Sequence, residues 1–488
     1  MKNPLPFIIV FLALNISSPA QITWTMGMDV SSGSYGNLHP RIAADGSGNP
    51  MVIWGNLMDE SVYFSKWNGV SFSQPVKLNP SWLTIATASW MGPDIAAKGD
   101  TVYVVMKQTP ETDTSSHLYI ISSFDGGMSF SPPVQIDNIG DSLSRFPAVT
   151  IDATGNPVTG FMKFDHSFQD SRWAVTKSFD YGNTFNTDTR ASGWSGPNAL
   201  VCDCCPGAMV SEDNIVAMLY RDNLDNIRDI WAGISTDGGN TFDQGLAVDQ
   251  GEWNLFACPS SGPDGVIKGD TLFTVYMSGA SGDDLVYLSK TSLSDLQGAP
   301  GIPVTGSFSG LDLQNYPRID KSGNAMAIVW KQNVSGEDQL PILFTNDISN
   351  GFPLTYDTVD LDDVTNADVS VSNGNIFIVW QDDNSGTVKY SSGIYEVSTS
   401  VHTIDNNSSL FIYPNPASMD GITVRLPPYF DGTITYTVLN IIGKILLTRQ
   451  AEIENGSIKI NLSPFETGTF YLKINSGDQY LVSKIIKQ

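Results

Sequence analysis

The sequence is poor in positive charge. Its 488 residues include 26 lysines and arginines against 51 aspartates and glutamates, which gives a net charge of −25 at pH 7. The excess lies in residues 3–401, with 44 acidic and 18 basic residues, whereas residues 402–488 carry seven of each. Because so acidic a surface repels nucleic acid and anionic membranes, we expect neither among the partners of this protein.

Long hydrophobic runs are also scarce, and the clearest one lies near the N-terminus. Lys2 is followed by the apolar residues Phe7–Leu14 and by the small residues Ser18–Ala20. This pattern is typical of a secretory signal peptide, which predicts that residues 1–20 are removed after Ala20. No later run is long enough to span a bilayer as a helix, so we expect an exported protein without a transmembrane segment.

Charged residues form only 16% of the chain, whereas glycine (44) and proline (27) are abundant, which favours many short strands joined by turns. One phrase, Ser-x-Asp-x-Gly-x-Ser/Thr-Phe, begins at Ser123 and again at Ser178 and Ser235. In such a turn the Asp accepts hydrogen bonds from backbone amides, and the Gly adopts a conformation that other residues resist. Three copies at nearly equal spacing predict a repeated β-unit.

The repeat extends beyond these three copies. A strand pattern that opens each unit recurs about every 54 residues. The seven starts are His39, Gly92, Phe146, Cys205, Gly262, Tyr316 and Asn366. Each unit is predicted to be a four-stranded antiparallel sheet, and seven sheets would close into a β-propeller. Because the last unit is short, Ile22–Asp29 is expected to supply its outer strand and close the ring.

The repeated phrase resembles the Asp-box, or BNR repeat, of the sialidase-like β-propellers. The resemblance implies an all-β fold with a propeller over residues 21–395. Seven blades are predicted, with six as the alternative count because well-known sialidases have six. A stretch rich in Ser, Thr and Asn, residues 396–409, is expected to be a linker.

The C-terminal residues 410–488 differ in composition and contain several short motifs. These motifs include Tyr413–Ala417, Val438–Lys444, Gly468–Lys473 and Lys484–Lys487. They resemble the type A C-terminal sorting domain of the type IX secretion system of the Bacteroidota. The resemblance implies a small β-sandwich that contacts the secretion machinery, and a chain that passes through the periplasm and outer membrane to be secreted or surface-attached. The alternative is an ordinary carbohydrate-binding or adhesive β-domain.

Ligand sites of such a propeller are expected at the upper mouth, where the starts of first strands and the ends of second strands converge. Basic side chains concentrate there in spite of the acidic composition. The predicted substrate-binding residues are His39, Arg41, Arg145, Arg221, Arg228 and Arg318. Guanidinium groups suit an anionic or polyol ligand, and the alternative is that they form ion pairs between blades.

The sialidase resemblance also implies catalytic roles, namely three arginines around a substrate carboxylate, a tyrosine nucleophile and an aspartate acid/base. The candidates for the arginine triad are Arg41, Arg221 and Arg318. The candidate catalytic residues are Tyr316, Tyr220 and Asp94. Only Pro40–Ile42 remains of the phrase typical of the first sialidase blade.

Cysteine is scarce. The four cysteines are Cys202, Cys204, Cys205 and Cys258. An even number in an exported protein favours disulfides, so we predict two bridges and no metal. The adjacent Cys204 and Cys205 would strain a mutual bridge, so one of them is expected to pair with Cys258. The alternatives are redox chemistry and a thiolate metal site joined by His39, His117 or His166.

Three functions remain open at this point. The first is an exported sialidase-like propeller that acts on extracellular glycans, as an exo-glycosidase or lyase. The second is a non-catalytic glycan- or protein-binding module of the cell surface, and the third is a propeller that binds a metal through Cys and His. No cofactor is expected, and calcium held by Asp360–Asp363 or Asp382–Asn384 is an alternative without the liganding pattern of known calcium loops.

Overall fold

The structure is a computed structural model that consists of two compact units, Met1–Ser398 and Thr399–Gln488. It describes residues 22–33, 35–140, 142–361, 363–397, 410–418, 421–427, 430, 432–441, 444–476 and 479–488. The predicted signal peptide and most of the predicted linker lie outside the described residues. No helix within these ranges is long and apolar enough to cross a membrane.

The first unit is a ring of seven antiparallel sheets, the blades, as the repeat predicted. It opens with β1 (Thr23–Trp24) and β2 (Met28–Asp29). Blade 1 contains β3 (Asn37–Ala44), β4 (Pro50–Asn56), β5 (Ser61–Lys66) and β6 (Val76–Lys77). Blade 2 contains β7 (Asp94–Lys98), β8 (Thr101–Lys107), β9 (Leu118–Ser123) and β10 (Val134–Gln135). Blade 3 contains β11 (Leu143–Ile151), β12 (Pro157–Phe164), β13 (Arg172–Lys177) and β14 (Thr189–Arg190).

The remaining blades follow the same plan. Blade 4 contains β15 (Leu200–Val201), β16 (Ala208–Glu212), β17 (Ile215–Asn223), β18 (Ile230–Ser235) and β19 (Gln244–Ala247). Blade 5 contains β20 (Asp264–Lys268), β21 (Thr271–Ser278), β22 (Leu285–Ser292), β23 (Gln297–Gly298) and β24 (Ile302–Pro303). Blade 6 contains β25 (Leu311–Ser322), β26 (Ala325–Val334), β27 (Glu337–Thr345) and β28 (Asp357–Asp360), with a 3₁₀ turn at Ile348–Asn350. Blade 7 contains β29 (Val364–Ser372), β30 (Asn375–Asp382) and β31 (Thr387–Ile394).

The N-terminal strands complete blade 7. Thr23 pairs with Ile394 in the β1–β31 ladder, and Met28 pairs with Tyr390 in the β2–β31 ladder. The expectation that Ile22–Asp29 supplies the outer strand of the last unit is therefore confirmed. This pairing closes the ring. It also covers the free strand edge that blade 7 would otherwise present.

The second strand of each blade is buried on both faces, since a neighbouring blade packs against each side. All seven residues of β4 are buried, and seven of the eight residues of β30 are buried. Aromatic side chains fill the space between blades, with Trp54 and Trp380 each at most 2% exposed. These strands are continuous apolar runs in the sequence because both of their faces are buried.

The three copies of the repeated phrase form tight turns. Asp125 Oδ1 accepts hydrogen bonds from the backbone N–H groups of Met128 and Ser129, both at 2.9 Å. The hydrogen bond from the Ser129 hydroxyl, followed by those from the backbone amides, holds the pKa of the Asp125 carboxyl well below its usual range. Gly127 has φ 82°, and a Cβ there would lie 2.7 Å from the Phe64 ring, so only glycine fits. Phe130 then packs on Phe64 of blade 1, with ring centroids 5.1 Å apart.

We expect Asp237→Ala to lower the free energy of unfolding by about 1 kcal/mol or more. Asp237 Oδ1 accepts from the backbone N–H groups of Asn240 and Thr241, both at 3.0 Å, and alanine leaves these donors without a partner in the turn. Asp243→Ala in the same turn is the control, since that carboxylate accepts from the Thr241 hydroxyl at 3.1 Å. Chemical denaturation of both variants should show the larger loss for Asp237→Ala, and equal losses would contradict the role of the turn.

The C-terminal unit is a separate seven-stranded β-structure. Its strands are β32 (Phe411–Ser418), β33 (Gly421–Arg425), β34 (Thr433–Leu439), β35 (Ile445–Glu452), β36 (Ser457–Ile460), β37 (Gly468–Ser476) and β38 (Gln479–Lys487). Two antiparallel groups, β32-β33-β36 and β35-β34-β37-β38, are joined by one parallel pair, Ala417 with Lys487. Both groups contribute buried side chains to one core, such as Val424 from the first and Leu472 from the second.

Candidate functional site

The innermost strands of the blades surround a central cavity of about 640 Å³. The position two residues after each unit start is equivalent in all seven units. The residues at this position are Arg41, Asp94, Ala148, Gly207, Asp264, Arg318 and Asp368. We call the five charged members, Arg41, Asp94, Asp264, Arg318 and Asp368, the charged ring, and all five line the cavity.

A β-bulge precedes this position in four blades. The pairing register of the inner strand shifts at Leu38/Arg41 in blade 1 and at Asn315/Arg318 in blade 6. The bulged residues include His39 and Tyr316, with φ values of 56° and 51°. A bulge changes the direction in which the side chains after it point. The repeated bulge therefore directs side chains at equivalent positions towards the cavity.

Arg318 lies between two carboxylates of neighbouring blades. Its Nε is 2.9 Å from Asp368 Oδ1 in blade 7 and 3.3 Å from Asp264 Oδ2 in blade 5. Burial raises the pKa of the Asp264 carboxyl, and the Arg318 charge opposes this rise. The two carboxylates also accept backbone N–H groups of the next blade, from Ile42 and Ile319, both at 2.9 Å. Arg318 therefore links three blades, and its charge is compensated within the protein.

Arg41 is buried beside His39. Arg41 Nη2 lies 2.6 Å from His39 Nε2, and Arg41 Nη1 donates to the Pro40 carbonyl at 2.8 Å. Burial lowers the pKa of Arg41 to about 10, and the charge of Arg318 adds to this effect. Burial and the Arg41 charge also lower the pKa of His39 well below its ordinary value, so His39 is neutral at pH 7. The neutral ring accepts from Arg41, and the guanidinium is held in place.

Asp94 is the ring carboxylate with the fewest protein partners among the described residues. Its Oδ2 accepts the backbone N–H of Val149 at 3.0 Å, and no ion pair joins it within the part of the chain that the structure describes. Burial raises the pKa of Asp94, while Arg318 and Arg41 lower it. Asp94 thus faces the cavity with a second oxygen that a ligand can reach.

The predicted site residues divide into two groups. Those that line the cavity are His39, Arg41, Asp94, Tyr316 and Arg318. The four that lie outside its lining are Arg145, Tyr220, Arg221 and Arg228. Arg145 pairs with Glu111 and donates to the Asp203 carbonyl at 2.9 Å. The structure therefore brings together five of the nine residues and also places Asp264 and Asp368 with them.

The structure differs from the expectation that Arg221 binds substrate. Arg221 is 1% exposed, and its three nitrogens donate to the backbone carbonyls of Ser261 (3.1 Å), Arg228 (2.7 Å) and Met277 (2.7 Å). Its guanidinium also lies over the Trp253 ring, 5.1 Å from the centroid. Each of the three nitrogens donates to a carbonyl of the protein, so Arg221 joins blades 4 and 5 instead of facing a ligand.

Neither candidate tyrosine has the environment of a nucleophile. Tyr220 is fully buried, and its hydroxyl accepts the Gly193 N–H at 3.3 Å. Burial raises the pKa of Tyr220, and burial followed by the charge of Asp383 raises the pKa of Tyr316. Activation of a phenol requires the opposite shift, because the phenolate is the reactive form.

The cysteines form one disulfide, where two were expected. Cys204 is bonded to Cys258, which ties the loop before β16 to the loop before β20. Cys202 and Cys205 are free thiols, with their sulfur atoms 2.8 Å apart. Arg228 Nη1 donates to Cys202 Sγ at 3.0 Å, so this predicted substrate-binding residue serves the thiol cluster. Cys202 and Cys205 pack side by side because the backbone N–H of Cys205 donates to the Cys202 carbonyl at 3.2 Å and closes a turn.

Metal-ligating side chains do not otherwise gather in the described ranges. The only group of three or more ligand atoms found there belongs to Cys202, Cys204 and Cys205, whose sulfurs lie within 4.8 Å of one another, and no histidine joins them. Since Cys204 is in a disulfide, two thiols remain. In Asp382–Asn384, one of the two loops named as an alternative calcium site, Asp382 is paired with Lys389 at 3.3 Å and accepts from the Ser385 hydroxyl.

The C-terminal segment matches a known protein family. Residues 411–488 match the model of the secretion system C-terminal sorting domain. This part of the chain is a sorting domain. The protein is therefore exported, either secreted or attached to the cell surface, and the sorting domain is its point of contact with the type IX secretion machinery.

No curated protein matches the chain. Solved structures match it at low sequence identity. The α-L-arabinanase of Penicillium chrysogenum in complex with arabinobiose is 12% identical, with a TM-score of 0.46, over 67% of this chain and 99% of that one. An ulvan lyase structure is 12% identical, with a TM-score of 0.48, over 74% and 94%. The NanB sialidase of Streptococcus pneumoniae is 12% identical, with a TM-score of 0.40, over 78% and 71%.

Proposed function

We propose that the propeller binds a neutral sugar unit of an extracellular glycan at the charged ring. The observation that carries this proposal is the cavity of about 640 Å³ with the five residues of the charged ring in its lining. A cavity of this size lies within the range that holds small ligands, and a few convergent polar groups fix their orientation. Export by the sorting domain brings the cavity into contact with extracellular glycans.

A neutral ligand fits the charge of the ring better than an anion. Three carboxylates face two guanidinium groups, and Arg318 is already shared by Asp264 and Asp368. A ligand carboxylate or sulfate would meet the uncompensated negative charge, which raises its free energy of binding. Sugar hydroxyls both donate to carboxylates and accept from guanidinium groups, so they match both signs of charge.

Asp94 is the residue assigned to the ligand hydroxyls. Its companions Asp264 and Asp368 bond Arg318, whereas Asp94 bonds the Val149 N–H through one oxygen. A carboxylate that accepts hydroxyl groups forms charge-assisted hydrogen bonds, which are stronger than neutral ones. Asp94 is therefore expected to contribute more to binding than the other ring carboxylates.

An exo-glycosidase is the second candidate, and the environment of Asp94 favours it. A general acid must hold its proton near neutral pH, and burial raises the pKa of Asp94 in that direction. In this alternative Asp94 protonates the leaving oxygen. The sialidase-type nucleophile assigned to Tyr316 or Tyr220 has no support in the surroundings of either residue.

Asp94→Asn is expected to weaken binding of neutral sugars at least tenfold, because the amide keeps the shape but lacks the charge. Asp229→Asn is the matched control, since Asp229 is a buried carboxyl that also accepts a backbone N–H, that of Trp253 at 2.9 Å, but lies outside the cavity lining. Calorimetric titration with methyl glycosides and with 3′-sialyllactose measures affinity, and para-nitrophenyl glycosides measure hydrolysis.

Equal effects of the two variants on neutral sugars would overturn the role of Asp94. Binding of sialyllactose alone would replace the neutral ligand by an anionic one. Hydrolysis that Asp94→Asn reduces at least a hundredfold would establish the exo-glycosidase. No binding and no hydrolysis by the wild-type protein would refute the glycan proposal.

A further inference from the structure

The four cysteines form two sulfur pairs in contact with each other. One pair is the Cys204–Cys258 disulfide, and the other is the Cys202 and Cys205 thiols, 2.8 Å apart. Cys202 Sγ also lies 3.6 Å from Cys204 Sγ. A thiol of one pair is thus next to a disulfide sulfur of the other, which is the contact that thiol–disulfide exchange requires.

The two pairs differ in access to solvent. Cys202 and Cys205 are 0% and 1% exposed, whereas Cys258 is exposed and Cys204 is half-buried. An external reagent can therefore reach the disulfide but not the thiols. Any exchange of electrons between the buried thiols and the surroundings must pass through the exposed pair.

The buried pair is built asymmetrically. Arg228 Nη1 donates to Cys202 Sγ at 3.0 Å, and Arg228 Nε is fixed by the Leu255 carbonyl at 2.9 Å. The hydrogen bond from Cys205 and the charges of Arg221 and Arg228 lower the pKa of Cys202 to about 7, although burial opposes them. Burial and the neighbouring Cys202 raise the pKa of Cys205 well above its ordinary value. A thiolate is the attacking species in exchange, so Cys202 is the attacking member of the pair.

We propose that the four cysteines form a thiol–disulfide relay, in which the buried Cys202–Cys205 pair passes two electrons to the exposed Cys204–Cys258 pair and from there to an external disulfide. This activity is independent of the proposed glycan binding, since none of its sulfur atoms belongs to the charged ring. The substrate class is a disulfide, of a small molecule or a protein, that reaches Cys258.

The relay has two internal steps. In the first, the Cys202 thiol releases its proton to water and the resulting thiolate attacks Cys204 Sγ. A Cys202–Cys204 bond forms, the Cys204–Cys258 bond breaks, and Cys258 leaves as a thiolate that takes a proton back from water. In the second, Cys205 loses its proton and attacks Cys202 Sγ, and Cys204 leaves as a thiol. The products are a Cys202–Cys205 disulfide and two thiols at the exposed position, so the number of electrons and protons is unchanged.

The external step restores the exposed disulfide. Cys258 attacks the external disulfide and releases one thiol from it, and Cys204 then attacks the mixed disulfide at Cys258 and releases the second thiol. The external disulfide gains two electrons and two protons, and the protein ends with two disulfides. An external thiol pair returns the protein to its starting state by the reverse sequence.

The test uses the full-length Cys205→Ser variant, in which the relay stops after its first step. The folded variant is incubated with iodoacetamide without denaturant. Mass spectrometry then identifies the labelled residues and the remaining disulfide bridges. Attack by Cys202 on Cys204 releases Cys258, and irreversible alkylation of the exposed Cys258 pulls the exchange forward. The expected product carries its label on Cys258 and a Cys202–Cys204 bridge.

The control is the double variant Cys202→Ser with Cys205→Ser, which keeps the disulfide but lacks the attacking thiol. Its Cys258 is expected to be labelled at least tenfold more slowly. Arg228→Gln in the Cys205→Ser background is expected to slow labelling of Cys258 several-fold, because the cation beside the thiolate is lost. Should Cys205→Ser fail to fold, Cys205→Ala repeats the test without a new buried hydroxyl. An intact Cys204–Cys258 bridge, with label on Cys202 or with no label, would overturn the relay.

Discussion

Arg318→Ala is expected to lower the free energy of unfolding by about 3–5 kcal/mol, since it removes one partner of a buried ion-pair network. The change leaves Asp264 and Asp368 in adjoining blades without the cation between them. The control is Arg172→Ala, because Arg172 pairs with Asp170, whose side chain is 54% exposed. That pair is expected to contribute less than about 1 kcal/mol. Chemical denaturation of both variants at pH 8 measures the two losses.

The loss of unfolding free energy caused by Arg318→Ala should become smaller as the pH is lowered from 8 to 5. Burial raises the pKa of Asp264 and Asp94 in the folded protein, and Arg318 opposes both shifts. Without the cation these folded-state values lie further above the unfolded ones. Such a carboxyl binds its proton more tightly when folded, so the free energy of unfolding rises as the pH falls through the folded-state pKa. A deficit that stays constant or grows on acidification would contradict an uncompensated carboxylate as its cause.

Arg221→Ala is expected to cost about 3 kcal/mol or more, because three buried carbonyl groups lose their donor and water cannot replace it. Arg221→Lys should recover only part of this loss, because an ammonium cannot reach three carbonyls in fixed directions. Arg190→Ala is the matched control. Arg190 also donates to two carbonyls, those of Ser192 and Ala199, but it is exposed, so water replaces its bonds.

Thermal melting and sugar titration of the Arg221 variants separate stability from binding. A structural role predicts a lower melting temperature with unchanged affinity in the folded fraction. Unchanged stability together with weaker binding would return Arg221 to the ligand site that the sequence pattern assigned to it.

The sequence predicted the blades well because each blade carries its own local signals. The seven strand starts, the Asp-and-glycine turns and the short last unit all follow from patterns within a few residues. The pairing of Thr23 with Ile394 was also predictable, since an incomplete blade 7 and an extra N-terminal strand can complete each other. The sorting domain has motifs that identify it without reference to the propeller.

The site was less predictable because both faces of a propeller blade are covered. In a half-buried sheet, alternation along a strand separates buried from exposed side chains, but Tyr220 and Arg221 of β17 are both enclosed by neighbouring blades. Sequence position identified the blade and strand of Arg221, and it did not reveal the carbonyls of Ser261 and Met277 that surround it. Those carbonyls belong to other segments of the chain.

Two further spacings in the sequence correspond to contacts that the structure shows. Asp264 follows the Gly-Pro of its unit start at the same distance as Asp94 follows its own, so equivalence between units predicts a ring carboxylate at Asp264. Cys202 and Cys205 have the C-x-x-C separation, which favours a redox pair over two structural bridges. In both cases the spacing in the sequence indicates which residues are equivalent or paired. Only the contacts in the structure show which other residues surround them.

The closure of the ring has a consequence for how the protein is made. Thr25 and Ser392 are 367 residues apart in the sequence, and they bond each other where the N-terminal strands complete blade 7. The N-terminal strands β1 and β2 are synthesised before β31 and can pair only after β31 has been made. A contact of such long range in the sequence forms slowly. Blades 1 to 6 can assemble as they emerge, but the final edge stays open until the whole ring has been produced. A chain interrupted at any earlier blade would keep unpaired strand edges, which proteases and other copies of the chain can recognise.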